Sequence, residues 1–354
     1  MINDKSTTAE SLLTEGSIRG ELGDPQAEVS FAESFFLAEE IGDTLVGAQA
    51  ALDLMHRSTL RFDMTAAWQW ERHARALTKR LADDQRPEHP FLVASYWSIL
   101  GTLHAWEGRL EEAESAYTKA LRKIEALPED NRAWQAGVHN NLGNVYVRRG
   151  NLESAAEELE TSAQIYRDVL GAHHPSYAVA LNNLGELLMR RHAWDEARAR
   201  YEEAHAIFLA ALGPEHPHIG IADNNLGDVF SRIGDRGVAA DFYNQAISIF
   251  SAAFGEDAPP LAYPLTGLGE LRLSQGRRDE SLELLTRALA LRGSDNGPEL
   301  AHTRFALARA LGPEQLDRAV DLASQAREGY AAGGPGYARE LGEVDAWIHE
   351  RAPK

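Results

Sequence analysis

The run Leu181-Asn182-Asn183-Leu184-Gly185-Glu186-Leu187-Leu188-Met189-Arg190 decides the fold, because its pattern returns at a fixed interval. Its Leu-Gly pair recurs as Leu100-Gly101, Leu142-Gly143, Leu226-Gly227 and Leu268-Gly269, in steps of 42 residues. A second glycine keeps the same step at Gly108, Gly150, Gly234 and Gly276, with His192 in the remaining slot. Alanines follow at Ala113, Ala155, Ala197 and Ala239, and Ser281 takes the fifth place. Length alone (354 residues) suggests two domains, but three anchors sharing one period describe an array of small stacked modules.

Each module reads as two helices. Between Ala172 and Gly213, Pro175 suits a first helical turn, where its missing N–H costs nothing. Ala178, Leu181, Leu184, Leu187 and Leu188 then follow helical spacing. The turn Arg191-His192-Ala193 leads to a second stripe of Ala197, Tyr201, Ala204, Ile207 and Phe208, and Leu212-Gly213 ends it. Gly185 and Ala197 fall where two antiparallel helices approach closely, so a large side chain there forces them apart.

The phrases Trp97-x2-Leu100-Gly101, Ala113-x3-Tyr117, Leu142-Gly143-x2-Tyr146, Ala197-x3-Tyr201 and Ala239-x3-Tyr243 resemble the tetratricopeptide repeat signature. The usual repeat is about 34 residues long. The longer unit, with Leu181-Asn182-Asn183-Leu184 and Leu212-Gly213-Pro214-Glu215-His216-Pro217, is similar to the kinesin-light-chain subclass. The resemblance implies an all-α fold: a right-handed α-solenoid, or superhelix, of about eight antiparallel helix pairs plus a C-terminal capping helix. Residues 1–87 read as degenerate N-terminal hairpins, with Asp24-Pro25 starting a helix through Phe31, Phe35 and Ile41 and two more patterns between Leu45 and Trp70. Residues 88–297 hold five regular copies (88–129, 130–171, 172–213, 214–255 and 256–297), and residues 298–354 hold a degenerate copy and the cap. Leu300-Ala301-His302 repeats Leu261-Ala262-Tyr263 after 39 residues, so the register slips there. Gly333-Gly334-Pro335-Gly336 precedes the last amphipathic segment of Leu341, Val344, Trp347 and Ile348.

The runs Phe305 to Leu311, Ala326 to Ala332 and Glu343 to Trp347 also resemble the tetratricopeptide tails of bacterial serine/threonine kinases of the myxobacterial type. The sequence itself has no glycine-rich phosphate loop, His-Arg-Asp loop or Asp-Phe-Gly motif.

In this repeat family the first helix of each pair lines the concave groove. Asn141, Asn144 and Arg148 are spaced to share one helix face, and the stripe returns as Asn183, Glu186 and Arg190, then as Asn225, Asp228 and Arg232. Asn140, Asn182 and Asn224 lie beside it, while flanking copies carry Ile99, Thr102 and Trp106, or Gly267, Glu270 and Ser274. Asparagine amides both donate and accept, so they hold a peptide backbone whatever its side chains, and arginine grips a carboxylate through two N–H groups. Asparagines at these places clamp peptides in related families. At about 10 Å between repeats and ~3.3 Å per extended residue, three repeats track about six to nine peptide residues. The same asparagines could instead satisfy each other between helices, and both alternatives stand at this stage.

The expected function is a non-catalytic interaction scaffold for a protein or peptide partner, with a peptide-responsive sensor as the alternative. Basic residues number 35 against 54 acidic, a net charge of −19, which argues against nucleic acid and anionic membrane surfaces. With no cysteine there is no disulfide, thiol nucleophile or cysteine-ligated metal, and no cofactor is expected. A polar start at Met1-Ile2-Asn3-Asp4 lacks a signal peptide's apolar stretch, so the expected location is the cytoplasm. His173, His174, His216 and His218 invite a metal reading, but equivalent copies stand one repeat apart, and Glu88-His89-Pro90 has the same form. These histidines read as a helix-start signal. Trp68 and Trp70, two apart, are expected to put one ring in the core and one in solvent, and Pro264 is expected to kink its helix.

Overall fold

The computed structural model describes residues 2–82, 89–127, 130–293 and 297–351. The expected boundary at 87/88, Glu88, and the Pro128-Glu129 end of the first regular copy lie outside them. Secondary structure among the described residues is entirely helical: α1 (Ile2–Glu21), α2 (Ala27–Ile41), α3 (Thr44–Leu60), α4 (Met64–Ala82), α5 (His89–Trp106) and α6 (Leu110–Glu125). There follow α7 (Arg132–Arg148), α8 (Leu152–Leu170), α9 (Pro175–Arg190), α10 (Trp194–Leu212), α11 (Pro217–Ile233) and α12 (Arg236–Phe254). The last are α13 (Ala262–Ser274), α14 (Arg278–Leu291), α15 (Pro298–Ala310), α16 (Leu316–Gly333) and α17 (Ala338–Arg351). No helix among the described residues is long and apolar enough to cross a membrane. The chain divides into two compact units, residues 1–145 and 146–354, with the break inside α7.

In the first unit α1 packs on α2, α3 on α4 and α5 on α6. Its core gathers Phe35, Met55, Leu77, Leu81, Tyr96 and Leu103. Trp68 and Trp70 are both half-buried against this core, which corrects the expected split into one inner and one outer ring. The Trp68 indole N–H donates to Glu107 at 2.7 Å, so the polar edge of a partly buried ring is satisfied. α1, which hydrophobic patterning does not announce, is held by buried Ala9, whose carbonyl accepts from the Ser34 hydroxyl at 2.8 Å.

In the second unit α9 pairs with α10, α11 with α12, α13 with α14 and α15 with α16. α17 closes the last pair, with Leu341, Trp347 and Ile348 packing beside buried Val344, Phe305 and Leu322. Leu181 and Leu187 are almost wholly buried, and each contributes about 1.5–3 kcal/mol by leaving water.

One contact explains the Leu-Gly anchor in both units. A Cβ on Gly101 would meet the Tyr117 ring at 2.7 Å, one on Gly185 the Tyr201 ring at 2.5 Å, and one on Gly227 the Tyr243 ring at 2.7 Å. The glycine is a seat for the aromatic ring of the following helix. The second glycine has a different role, ending the first helix in a left-handed turn, as at Gly108 (φ 75°) and Gly234 (φ 98°). His192 (φ 60°) and Phe62 (φ 59°) hold that conformation without being glycine. Pro264 does not kink its helix: a 3-10 turn at Pro259–Leu261 delays α13 to Ala262, which puts Pro264 in the first turn.

Candidate functional site

In the second unit the first helices of successive pairs neighbour one another, α9 beside α11, α11 beside α13 and α13 beside α15. Their shared face carries the polar stripe. The Asn225 Nδ2 donates to Asn182 Oδ1 at 2.9 Å, linking α9 to α11. Asn224 Nδ2 reaches Asn225 Oδ1 at 3.4 Å and Asp228 Oδ2 at 3.5 Å, both long, while its own Oδ1 is buried without a hydrogen bond. The Tyr243 hydroxyl donates to Asp228 Oδ1 at 2.6 Å. Burial pushes the Asp228 carboxyl up, and the tyrosine's hydrogen bond pulls against that rise.

The stripe continues beyond the residues expected from sequence. His302 Nε2 and Glu270 Oε2 lie 2.9 Å apart, and Arg309 Nη1 stands 3.3 Å from Glu270 Oε1. Burial raises the Glu270 carboxyl, but the charge and hydrogen bond of His302, with Arg309 and Arg232, outweigh it and hold it at about 2. His302 is raised in turn: burial opposes its charge, and Glu270 and Asp228 favour it more strongly. Arg309 follows Glu270 by 39 residues, so applying the register slip to the stripe places the two side by side.

The three arginines expected to form a line differ in surroundings. Arg232 is exposed and makes no hydrogen bond or ion pair among the described residues. Arg190 is half-buried, 4.0 Å from Glu186 on its own helix and 3.6 Å from Glu340. Its Nη1 donates to the Gly336 carbonyl at 3.2 Å, and the guanidinium lies 4.8 Å from the centre of the Tyr337 ring. Arg148 is half-buried at the end of α7. Asn183 is half-buried and Glu186 exposed.

Asn140, Asn141 and Asn144 belong to the first unit. Asn140, expected beside the stripe, is only 7% exposed; Asn141 and Asn144 are half-buried. His174 and His216 cap α9 and α11: their Nδ1 atoms accept from the Ser176 and His218 amides at 3.1 and 3.2 Å. An imidazole therefore does at these helix starts what a serine or aspartate does elsewhere.

The tetratricopeptide repeat family model matches residues 92–168, 134–192, 176–252 and 260–332. The chain belongs to the tetratricopeptide repeat family. Within that fold, the chain is similar to BtubC (BKLC) from P. vanneervenii at 23% identity, covering 71% of this chain and 92% of that one, with a TM-score of 0.52. It is similar to the apo form of RapI at 13% identity, covering 99% and 98%, with a TM-score of 0.62. The Rap conjugation gene regulator of plasmid pLS20, solved with the Phr* peptide, matches at 15% identity, 85% and 95% coverage and a TM-score of 0.58. At these identities the likeness is one of fold. No curated protein sequence matches the chain.

Proposed function

We propose that the chain is a non-catalytic scaffold holding an extended partner segment, polar or acidic at one end, along α9, α11 and α13. The observation that carries this reading is the buried, unpaired Asn224 Oδ1, eight residues before an exposed arginine, Arg232, that has no ion-pair partner among the described residues. An orphaned buried acceptor costs about 1–3 kcal/mol, and the long bonds of its Nδ2 would let the Asn224 amide turn outward to accept from a peptide N–H. Arg232 would hold a carboxylate of the same segment. Asn182 and Asn225, which pair with each other, would exchange that bond for two to the peptide backbone.

The peptide complex of the Rap regulator supports such use of the fold. In this reading the five 42-residue copies over 88–297, of the longer kinesin-light-chain-like kind, form the body, and 1–87 and 298–354 close its ends. The phrases of the C-terminal run favour a bacterial serine/threonine kinase as the context, with this chain as its docking arm.

An array of synthetic nine-residue peptides, with and without a terminal acid, tests the reading. Retention by the wild-type chain should fall at least tenfold with Asn182→Ala, Asn225→Ala and Arg232→Glu combined. Equal retention by both proteins rejects it. Small-angle scattering should change little on binding, as a scaffold requires and a shape-changing sensor does not.

A further inference from the structure

The second unit already holds a segment of its own chain against α9. Gly336 offers its carbonyl to Arg190, Tyr337 places its ring by the same guanidinium, and Glu340 approaches its Nη1 at 3.6 Å. Arg339 Nη1 donates to His192 Nε2 at 2.9 Å, fixing the turn that follows α9. Gly336 is seated on the last carbonyls of α7: a Cβ there would overlap Arg148 O and lie 2.9 Å from Val147 O. A Cβ on Gly150 would in turn meet the Gly336 Cα at 3.3 Å. This backbone-on-backbone approach admits glycine alone.

Capping the array does not require these contacts. The cap is made mainly by Leu341, Val344, Trp347 and Ile348 against α15 and α16, with the buried Tyr337 ring at its edge. Tyr337 shares in it through Tyr330, whose ring centre lies 6.0 Å away, but Gly336, Arg339 and Glu340 turn to α7, α9 and the turn after α9 instead. Backbone carbonyl, aromatic ring and carboxylate converge on one arginine from the 3-10 turn Pro335–Tyr337 and the first turn of α17, so a ligand of the same kind would present them from a tight helical turn.

We infer that residues 334–340 are a built-in occupant of the binding face, and that the face also takes a partner segment of the same chemistry. That chemistry is a glycine with a free carbonyl, an aromatic residue next, and an acid three residues after the ring. The inference rests on the scaffold reading above and adds to it which end of the face selects sequence. The occupant's polar contacts to Arg190 and His192 lie at the partly exposed edge of α9, where a competing segment can meet the same arginine.

The test uses the full chain and a fluorescent peptide copying residues 333–342, Gly-Gly-Pro-Gly-Tyr-Ala-Arg-Glu-Leu-Gly. Gly336→Val cannot occupy its seat, so this variant should bind the peptide at least tenfold more tightly than the wild type. Adding Arg190→Glu should remove the gain. Equal affinity of wild type and Gly336→Val overturns the inference, as does a gain that survives Arg190→Glu. If circular dichroism shows that Gly336→Val does not fold, Tyr337→Ala replaces it under the same two criteria. The scaffold reading fails separately, when library peptides ignore Asn182, Asn225 and Arg232 while the tail copy still depends on Arg190.

Discussion

At matched places in the repeat, α5 of the first unit carries Ile99, Thr102 and Trp106, whereas α11 of the second carries Asn225, Asp228 and Arg232. Behind them the packing is the same, a glycine seating the ring of Tyr117 in one unit and of Tyr243 in the other. The hydroxyl of that ring meets whatever the first helix presents. It lies 3.0 Å from the Thr102 hydroxyl in the first unit and donates to the Asp228 carboxylate at 2.6 Å in the second. Trp106, 52% exposed, stands edge-on to Phe62 at 4.7 Å where the second unit has an exposed arginine. Close approach of the helices dictates the seat and the ring. The neighbouring face is free to vary, and it is neutral and aromatic in one unit and charged in the other.

The largest expected effect probes what the units share. Gly227→Val and Gly101→Val each push a methyl-bearing carbon into a tyrosine ring, and each should destabilise its own unit by about 1–3 kcal/mol. Guanidinium denaturation followed by hydrogen exchange in each unit measures it. A cost in one unit alone would break the common packing rule.

The next effect separates the units. Tyr243→Phe leaves Asp228 without its short hydrogen bond and should cost about 1–3 kcal/mol. Tyr117→Phe leaves Thr102, which also donates to the Ser98 carbonyl at 3.3 Å, and should cost about 0.5–1.5 kcal/mol. Equal losses would contradict the charged-versus-neutral distinction.

A smaller difference lies in pH dependence. In the first unit, burial raises Asp53 from 3.8 to about 6, against the pull of Arg57. Its contribution is therefore complete below pH 3.8 and is lost as pH rises through about 6. Raising pH from 5 to 7.5 should cost the first unit about 1 kcal/mol, and Asp53→Asn should abolish that slope. In the second unit Glu270 is held at about 2, so its contribution is present above 4.5 and fades as pH falls toward 2. His302, raised above 6.5, contributes below that value and loses its effect as pH climbs through its elevated value. The second unit should thus be strongest in a window between about pH 5 and 6.5, seen as slowest exchange in α13 and α15. Phe62→Gly has the smallest effect: relief of the left-handed backbone and loss of the Trp106 contact should nearly cancel, within about 0.5 kcal/mol.

The sequence shows the paired helices plainly because the Leu-Gly anchor answers a side chain of the next helix, a tyrosine ring at Gly101, Gly185 and Gly227 and Leu285 at Gly269. It does not announce α1, whose apolar stripe is thin, with Ala9 its fully buried position. Pro264 misleads because the helix start moves by a short 3-10 turn that opens on Pro259-Pro260, so a third proline falls in a first turn instead of a helix interior. The Asn182–Asn225 bond joins one position to its neighbour in the next copy, an offset set by how the helices are rotated. The hold of Arg190 on Gly336 spans 146 residues and depends on the path of the whole second unit, so local spacing carries no trace of it.

Photo-crosslinking of a bound nine-residue peptide, mapped by mass spectrometry, tests the central claim most directly. Adducts are expected on the faces of α9, α11 and α13 that carry Asn182, Asn225 and Glu270. Adducts confined to residues 1–145, or to α10, α12 and α14, would contradict it.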